Sequence, residues 1–290
     1  MRTLIAFSFL LTLSGLVFAQ GSNSEIFLFD IEKKESDFAF LNGENITNNK
    51  SYDNQPSFSL DGKSILFTSG RNSGNFDIFE YSIADKNISE LISSENGEYT
   101  AKEFDKNTVM FVREGKNDQG MGVWKFDRRT RKSMPALKNK EPIAYYAFNR
   151  KGDALVWIRY AFMMHWVNPE SSINRFVANY AQPSVPHLIP GTDKFSFMQR
   201  HPDDSLWIKE FDPATRAVRP IVPAKDGEKD YAWMPDGSLL IGSGSKLFSF
   251  NGKTDKSWKE AADLKVSGIK DITRMAVSPD GKNLALVDNR

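Results

Sequence analysis

Arginine recurs in this 290-residue chain at positions 71, 113, 159, 200 and 290, each just beyond a short run rich in apolar residues. A guanidinium presents a rigid fork of N–H donors and recognises carboxylate or phosphate through two parallel hydrogen bonds. Arg71, Arg113, Arg159, Arg200 and Arg290, with His201 beside Arg200, are therefore the candidate ligand-binding residues. On equivalent loops of a repeating fold they would gather on one face and ring an anionic group. The competing reading makes Arg71 a repeat residue with contacts inside its own unit, and the others solvated ends.

Other chemistry finds little support in the residues. The three histidines, His165, His187 and His201, show no metal-binding spacing. His165, next to Trp166, reads as a packing residue in a strand, and His201 as part of a polar loop, Arg200-His201-Pro202-Asp203-Asp204. Gly242-Ser243-Gly244-Ser245 is not a nucleophile elbow and reads as a tight hairpin loop. Asp203-Asp204 and Asp226-Gly227-Glu228 are acidic turns without the alternating oxygen ligands of a calcium loop. There is no glycine-rich phosphate loop. The absence of cysteine removes thiol nucleophiles, disulfides and Cys-ligated zinc. No catalytic residue, metal ligand or cofactor is assigned.

The elements that must position the arginines come from a repeat. An apolar run, a turn and a second apolar run recur six times. The clearest copies are Pro56-Ser57-Phe58-Ser59-Leu60-Asp61-Gly62-Lys63-Ser64-Ile65-Leu66-Phe67 and Met275-Ala276-Val277-Ser278-Pro279-Asp280-Gly281-Lys282-Asn283-Leu284-Ala285-Leu286. Turn centres at 62, 106, 152, 192, 237 and 281 are spaced by 44, 46, 40, 45 and 44 residues. Asp-Gly between apolar runs marks a β-hairpin, because glycine tolerates the positive φ of a tight turn. A second pattern, a strand with an aromatic near its start, also occurs six times, beginning near residues 25, 77, 122, 164, 205 and 246. The chain opens with the second pattern and closes with the first. Six hairpins and six outer pairs fill six sheets only if the last hairpin joins the first outer pair, a join that also covers exposed strand edges. The expectation is an all-β, six-bladed β-propeller of four-stranded blades, with the N- and C-terminal strands sharing the closing blade. One helical turn is expected near Trp258–Ala262. The apolar stretch Tyr160-Ala161-Phe162-Met163-Met164-His165-Trp166 reads as two strands around a very short turn with its apolar residues in the core; left exposed, it would be a partner-binding patch.

The segment Gln55 to Arg71, followed by Asp77-Ile78-Phe79, resembles the repeat of TolB-type propellers, also called PD40 or WD40-like. Ser278-Pro279-Asp280-Gly281-Lys282 and Met234-Pro235-Asp236-Gly237 resemble it well, and the remaining copies are degenerate. The resemblance implies a six-bladed ring, an envelope or extracellular location and use as a binding platform. With the first strand near Glu25 and the last ending at Arg290, neither an α/β domain like TolB's nor a prolyl-peptidase-like hydrolase domain is expected.

Residues 1–19 have the pattern of a cleaved signal peptide: Arg2, then an uncharged and mostly apolar run ending in Val17-Phe18-Ala19. The uncharged run from Thr3 to Ala19 is 17 residues, shorter than the ~20 a spanning helix needs. Residues 20–290 are read as a single propeller domain. With no cysteine for a lipobox, the expected location is periplasmic or secreted. A formal net charge of +1 gives no basis for general nucleic-acid affinity or a polybasic membrane anchor. Two functional classes follow. The favoured one is a non-catalytic binding protein whose propeller face takes an envelope or extracellular protein, peptide or glycan. The alternative is a metal-dependent propeller hydrolase, lactonase or lyase with its site at the central channel.

Overall fold

A computed structural model describes residues 23–34, 37–72, 75–115, 120–137, 141–171, 173–225 and 230–290. The leader at 1–19 and the acidic turn at 226–228 lie outside the described residues.

The chain enters with β1 (Ser24–Lys33) and β2 (Phe38–Asn45) and then builds five blades in order. Blade 1 holds β3 (Asp53–Phe58), β4 (Ser64–Ser69), β5 (Asp77–Ser82) and β6 (Asn87–Ile92). Blade 2 holds β7 (Glu98–Asp105), β8 (Thr108–Arg113), β9 (Gly122–Asp127) and β10 (Lys132–Pro135). Blade 3 holds β11 (Ile143–Phe148), β12 (Ala154–Ile158), β13 (Met163–Asn168) and β14 (Ile173–Ala178). Blade 4 holds β15 (His187–Leu188), β16 (Phe195–Arg200), β17 (Leu206–Asp212) and β18 (Ala217–Pro223). Blade 5 holds β19 (Tyr231–Trp233), β20 (Ser238–Ser243), β21 (Lys246–Asn251) and β22 (Lys259–Asp263). The last two strands, β23 (Ile272–Val277) and β24 (Asn283–Asn289), complete the opening pair in the order β2-β1-β24-β23.

The expected closure is present. Ser24 to Asp30 pair antiparallel with Asn289 to Asn283, and the Arg290 amide donates to the Asn23 carbonyl. The first and last described strands are thereby held inside one blade, where an open run of blades would leave its terminal strands unpaired. The six hairpin turns fall where the repeat places them. Gly62, Gly152, Gly191, Gly237 and Gly281 have φ between 72° and 86°, the region where a side chain is strained. Neighbouring turns also touch: a Cβ on Gly281 would meet Pro235 Cδ at 3.2 Å, and one on Gly62 would meet Pro279 Cδ at 3.7 Å. The Pro-Asp-Gly sequence thus shapes its own turn and packs against the next.

The second strand of each blade alternates its faces between two neighbours. Ile65 and Phe67 pack with Ile26 and Val287 of the closing blade, while Leu66 packs with Val109 and Phe111 of blade 2. An apolar cluster fills each of the six blade interfaces in the same way. This is why these strands read as nearly continuous apolar runs and not as alternating ones.

Two local expectations are corrected. Residues 259–263 form β22, and the helical turn lies just after it, a 3-10 turn over Leu264–Ser267. Asp263 accepts from the Lys265 amide at its start and Gly268 ends it in the left-handed region, so the cap signal sits one strand later than expected. In the Tyr160–Trp166 stretch the strands form as expected and Met164 and Trp166 are buried. Tyr160 and Phe162, however, are exposed on the turn between β12 and β13. Both hold positive φ, which turns their side chains out of the core that alternation would have assigned.

Candidate functional site: the axial channel and the arginine end

In each blade the turn between the first and second strands lies at one end, and the loop after the second strand at the other. The candidate arginines all occupy that second end. There they meet acids. The start of β3 places Asp53 opposite Ser69, and Arg71 Nη2 lies 3.2 Å from Asp53 Oδ1 while its Nε donates to Ser69 Oγ at 2.9 Å. In blade 2 Glu98 is directly opposite Arg113, whose Nε donates to Glu98 Oε1 at 2.9 Å. In the closing blade Arg290 reaches Asp288 at 3.1 Å and Glu25 at 3.2 Å. The Asp53, Glu98 and Asp288 side chains are fully buried. Each arginine also covers an aromatic ring: Phe79 at 5.0 Å, Trp124 at 4.6 Å and Phe27 at 5.0 Å. Burial pushes the Asp53 and Glu98 carboxyls above the ordinary range, and Ser69 or Ser94 together with the paired arginine act against it.

Arg71, Arg113 and Arg290 thus each pair with a buried acid of their own blade. Arg159 bridges blades, with Nη1 3.5 Å from Glu114 Oε1. Arg200 is exposed and donates to the Asp204 carbonyl, while the half-buried His201 ring stacks on Trp207 at 5.6 Å. Equivalent loops do gather these residues at one end, but four of the five guanidiniums hold acidic partners.

Sequence reasoning missed the other constellation. Along the axis runs a cavity of about 480 Å³, lined by residues from first strands around the ring. Lys102 comes from β7, Arg150 from the turn between β11 and β12, His187 from β15, Asp230 from just before β19 and Arg274 from β23. Gln55 and Thr100 hold φ of 56° and 53° at bulges in β3 and β7, a conformation that costs a non-glycine residue roughly 1–3 kcal/mol. The Gln55 side-chain carbonyl accepts from the Thr100 amide at 2.8 Å and from Thr68 Oγ1 at 3.0 Å. Further bonds stitch inner strands together: Ser57 Oγ donates to the Ala101 carbonyl at 2.6 Å, and Tyr146 OH to the Thr100 carbonyl at 2.8 Å.

The charges in this cavity are unevenly matched. Asp230 accepts from Ser184 Oγ at 3.0 Å and from the Met275 amide at 3.2 Å. Arg274 donates to the Thr273 carbonyl and to Tyr145 OH, at 3.0 and 3.2 Å, and its Nε is buried with no partner. Lys102 Nζ donates to the Tyr146 carbonyl, at 3.4 Å. Burial lowers its pKa to about 8, opposed by Asp230. His187, packed against Tyr231 at 4.7 Å, is pushed down to about 3, chiefly by burial and also by Lys102. It is neutral at pH 7, and its Nε2 is buried without a partner. Neither Lys102 nor Arg274 has a carboxylate within ion-pair distance among the described residues. No short motif announces this set, because its members lie some 40 residues or more apart.

Six four-stranded blades around a residue-lined axial cavity, closed by strands from both termini, define a six-bladed β-propeller. The fold is the TolB-type one. No family model and no curated protein matches the sequence. Among solved structures, a TolB-type protein of Agrobacterium tumefaciens is similar with a TM-score of 0.70 at 12% identity, over 93% of this chain and 99% of that one. TolB of Acinetobacter baumannii is similar with a TM-score of 0.60 at 10% identity, over 92% of this chain and 64% of that one. An oligogalacturonate lyase in complex with manganese gives 0.59 at 13% identity, over 93% and 98%. At such identities the likeness is one of fold.

Proposed function

We propose that this chain is a periplasmic or secreted binding protein that takes a protein, peptide or glycan at the axial cavity and the propeller face around it. One observation carries the reading: a cavity lined from blades around the ring, containing buried polar groups with no protein partner. Buried polar atoms are nearly always hydrogen-bonded, so such groups mark places where a ligand or water completes the bonding. The location rests on the signal-peptide pattern of residues 1–19 and on the TolB-type fold. Among the described residues no helix is long and apolar enough to cross a membrane. For the metal-dependent alternative, the cavity's titratable lining is unfavourable: Lys102, Arg150 and Arg274 line it together with Asp230 and His187, and their charge opposes a divalent cation.

The test is capture of a partner from envelope extract by residues 20–290, identified by mass spectrometry. The reading predicts a partner that is lost when Trp233, on the cavity wall, is replaced by alanine. Recovery of the same proteins with the variant and with unrelated propellers would reject it.

A further inference from the structure

We propose that the axial cavity, whose wall carries Lys102 and Arg274, holds a small organic carboxylate, either as a free acid or as the carboxylate of a peptide seated in the channel. The inference rests on reading the cavity as the ligand site and adds the ligand's chemistry. Its basis is the difference between the cavity and the arginine end of the same molecule. Where this chain buries a cation for structure, it supplies an acid within 3.2 Å: Arg71 with Asp53, Arg113 with Glu98, Arg290 with Asp288. Three cations line the cavity, Lys102, Arg274 and the exposed Arg150; Lys102 and Arg274 share the field of one carboxylate, Asp230, which already accepts two hydrogen bonds. Lys102 and Arg274 are half-buried with no acid at ion-pair distance among the described residues, and an anion entering here would complete the balance.

The geometry favours an organic anion. Arg274 is fixed through Thr273 and Tyr145, so a ligand does not have to order its guanidinium. Lys102 approaches from β7 and Arg274 from β23, on different blades. Around them the wall is largely apolar, with Val185, Leu188, Ala232, Met275 and Val277, and its polar side chains Gln55 and Ser57 are already bonded to β7. That lining suits a hydrocarbon body carrying a carboxylate and gives little to the remaining oxygens of inorganic phosphate.

Calorimetric titration of residues 20–290 at pH 7 and low salt tests this with succinate, the peptide triglutamate and inorganic phosphate. Succinate or triglutamate is expected to bind, and phosphate to bind at least tenfold more weakly. Whichever of the two carboxylates binds tells a free acid from a peptide. Lys102→Met and Arg274→Gln are each expected to weaken binding about ten- to a hundredfold, the loss of one charge-assisted hydrogen bond. Arg200→Ala is expected to leave it unchanged. Thermal melts show whether each variant is folded, and Lys102→Gln serves if Arg274→Gln is not. No binding of either carboxylate, equal binding of phosphate, or affinity unchanged in folded Lys102 and Arg274 variants overturns the proposal. A protein partner captured equally well by Lys102→Met would overturn it too, while leaving the binding function standing.

Discussion

The arginine end of the blades and the axial cavity handle positive charge in opposite ways. At the arginine end, Arg113 lies against Glu98, two hydrogen-bonding atoms 2.9 Å apart, with an indole face beneath the guanidinium. In the channel, Arg274 and Lys102 find carbonyls and a phenol but no carboxylate at ion-pair distance among the described residues. A paired charge resists removal of either partner, because the survivor is stranded in low dielectric. An unpaired one is retained against its own cost. The first arrangement ties acid and cation of one blade together, and the second is the one proposed above to take a ligand.

The largest effect should come from breaking an acid–arginine pair. Arg113→Ala leaves Glu98 buried without its cation and is expected to lower stability by about 3–5 kcal/mol in urea unfolding. Replacing the pair together, Glu98→Gln with Arg113→Met, should recover a good part of that. A loss below about 1 kcal/mol for Arg113→Ala would mean that the pair adds little to stability.

Removing the channel cation should act with the opposite sign. Lys102→Met is expected to leave stability unchanged or raise it by about 1–2 kcal/mol, since an apolar side chain replaces a charge without a partner. The same residue gives a pH signature. Its folded pKa, about 8, lies below the unfolded value of roughly 10.4, so the unfolded chain binds more protons between them. Stability should therefore rise with pH across that window, and the rise should vanish in Lys102→Met. Ligand affinity should move the other way, falling above pH 8 as Lys102 loses its charge. Asp230 and His187 interact with it there, and Arg150 and Arg274 also line the cavity.

Acid should expose His187. Folded, it stays neutral down to about pH 3, whereas unfolded it takes a proton near pH 6.5. Stability should fall as pH drops from about 6.5 toward 3, and part of that slope should disappear in His187→Leu, as read from urea midpoints at about pH 7 and about pH 4.5. Asp230, whose carboxyl burial raises, contributes with the opposite sign. The smallest effect is expected at Arg200, exposed and bonded to one backbone carbonyl: Arg200→Ala should stay within about 0.5 kcal/mol of the parent.

Much of the fold is legible in the order of the residues. The hairpin turns are legible because Asp-Gly acts locally, through φ at one residue. The shared closing blade is legible because the order of two patterns along the chain has only one way to fill six sheets. Tyr160 and Phe162 depart from alternation, which takes no account of a turn in which both residues sit at positive φ. The candidate arginines do share one end of the blades, yet their role depends on Asp53, Glu98 and Asp288, whose burial no spacing rule reveals.

By itself, then, the sequence determined the period, the blade number and the way the circle closes, because each follows from contacts between residues near one another in the chain or from their order. Only the tertiary structure decided which positive charges are satisfied. That depends on whether an acid from another strand arrives within about 3 Å, as at Arg71 and Arg113, or fails to arrive, as at Lys102 and Arg274. Coulomb and desolvation energies are set by distance and burial in space, and closing the ring brings together residues that the chain keeps a whole blade or more apart.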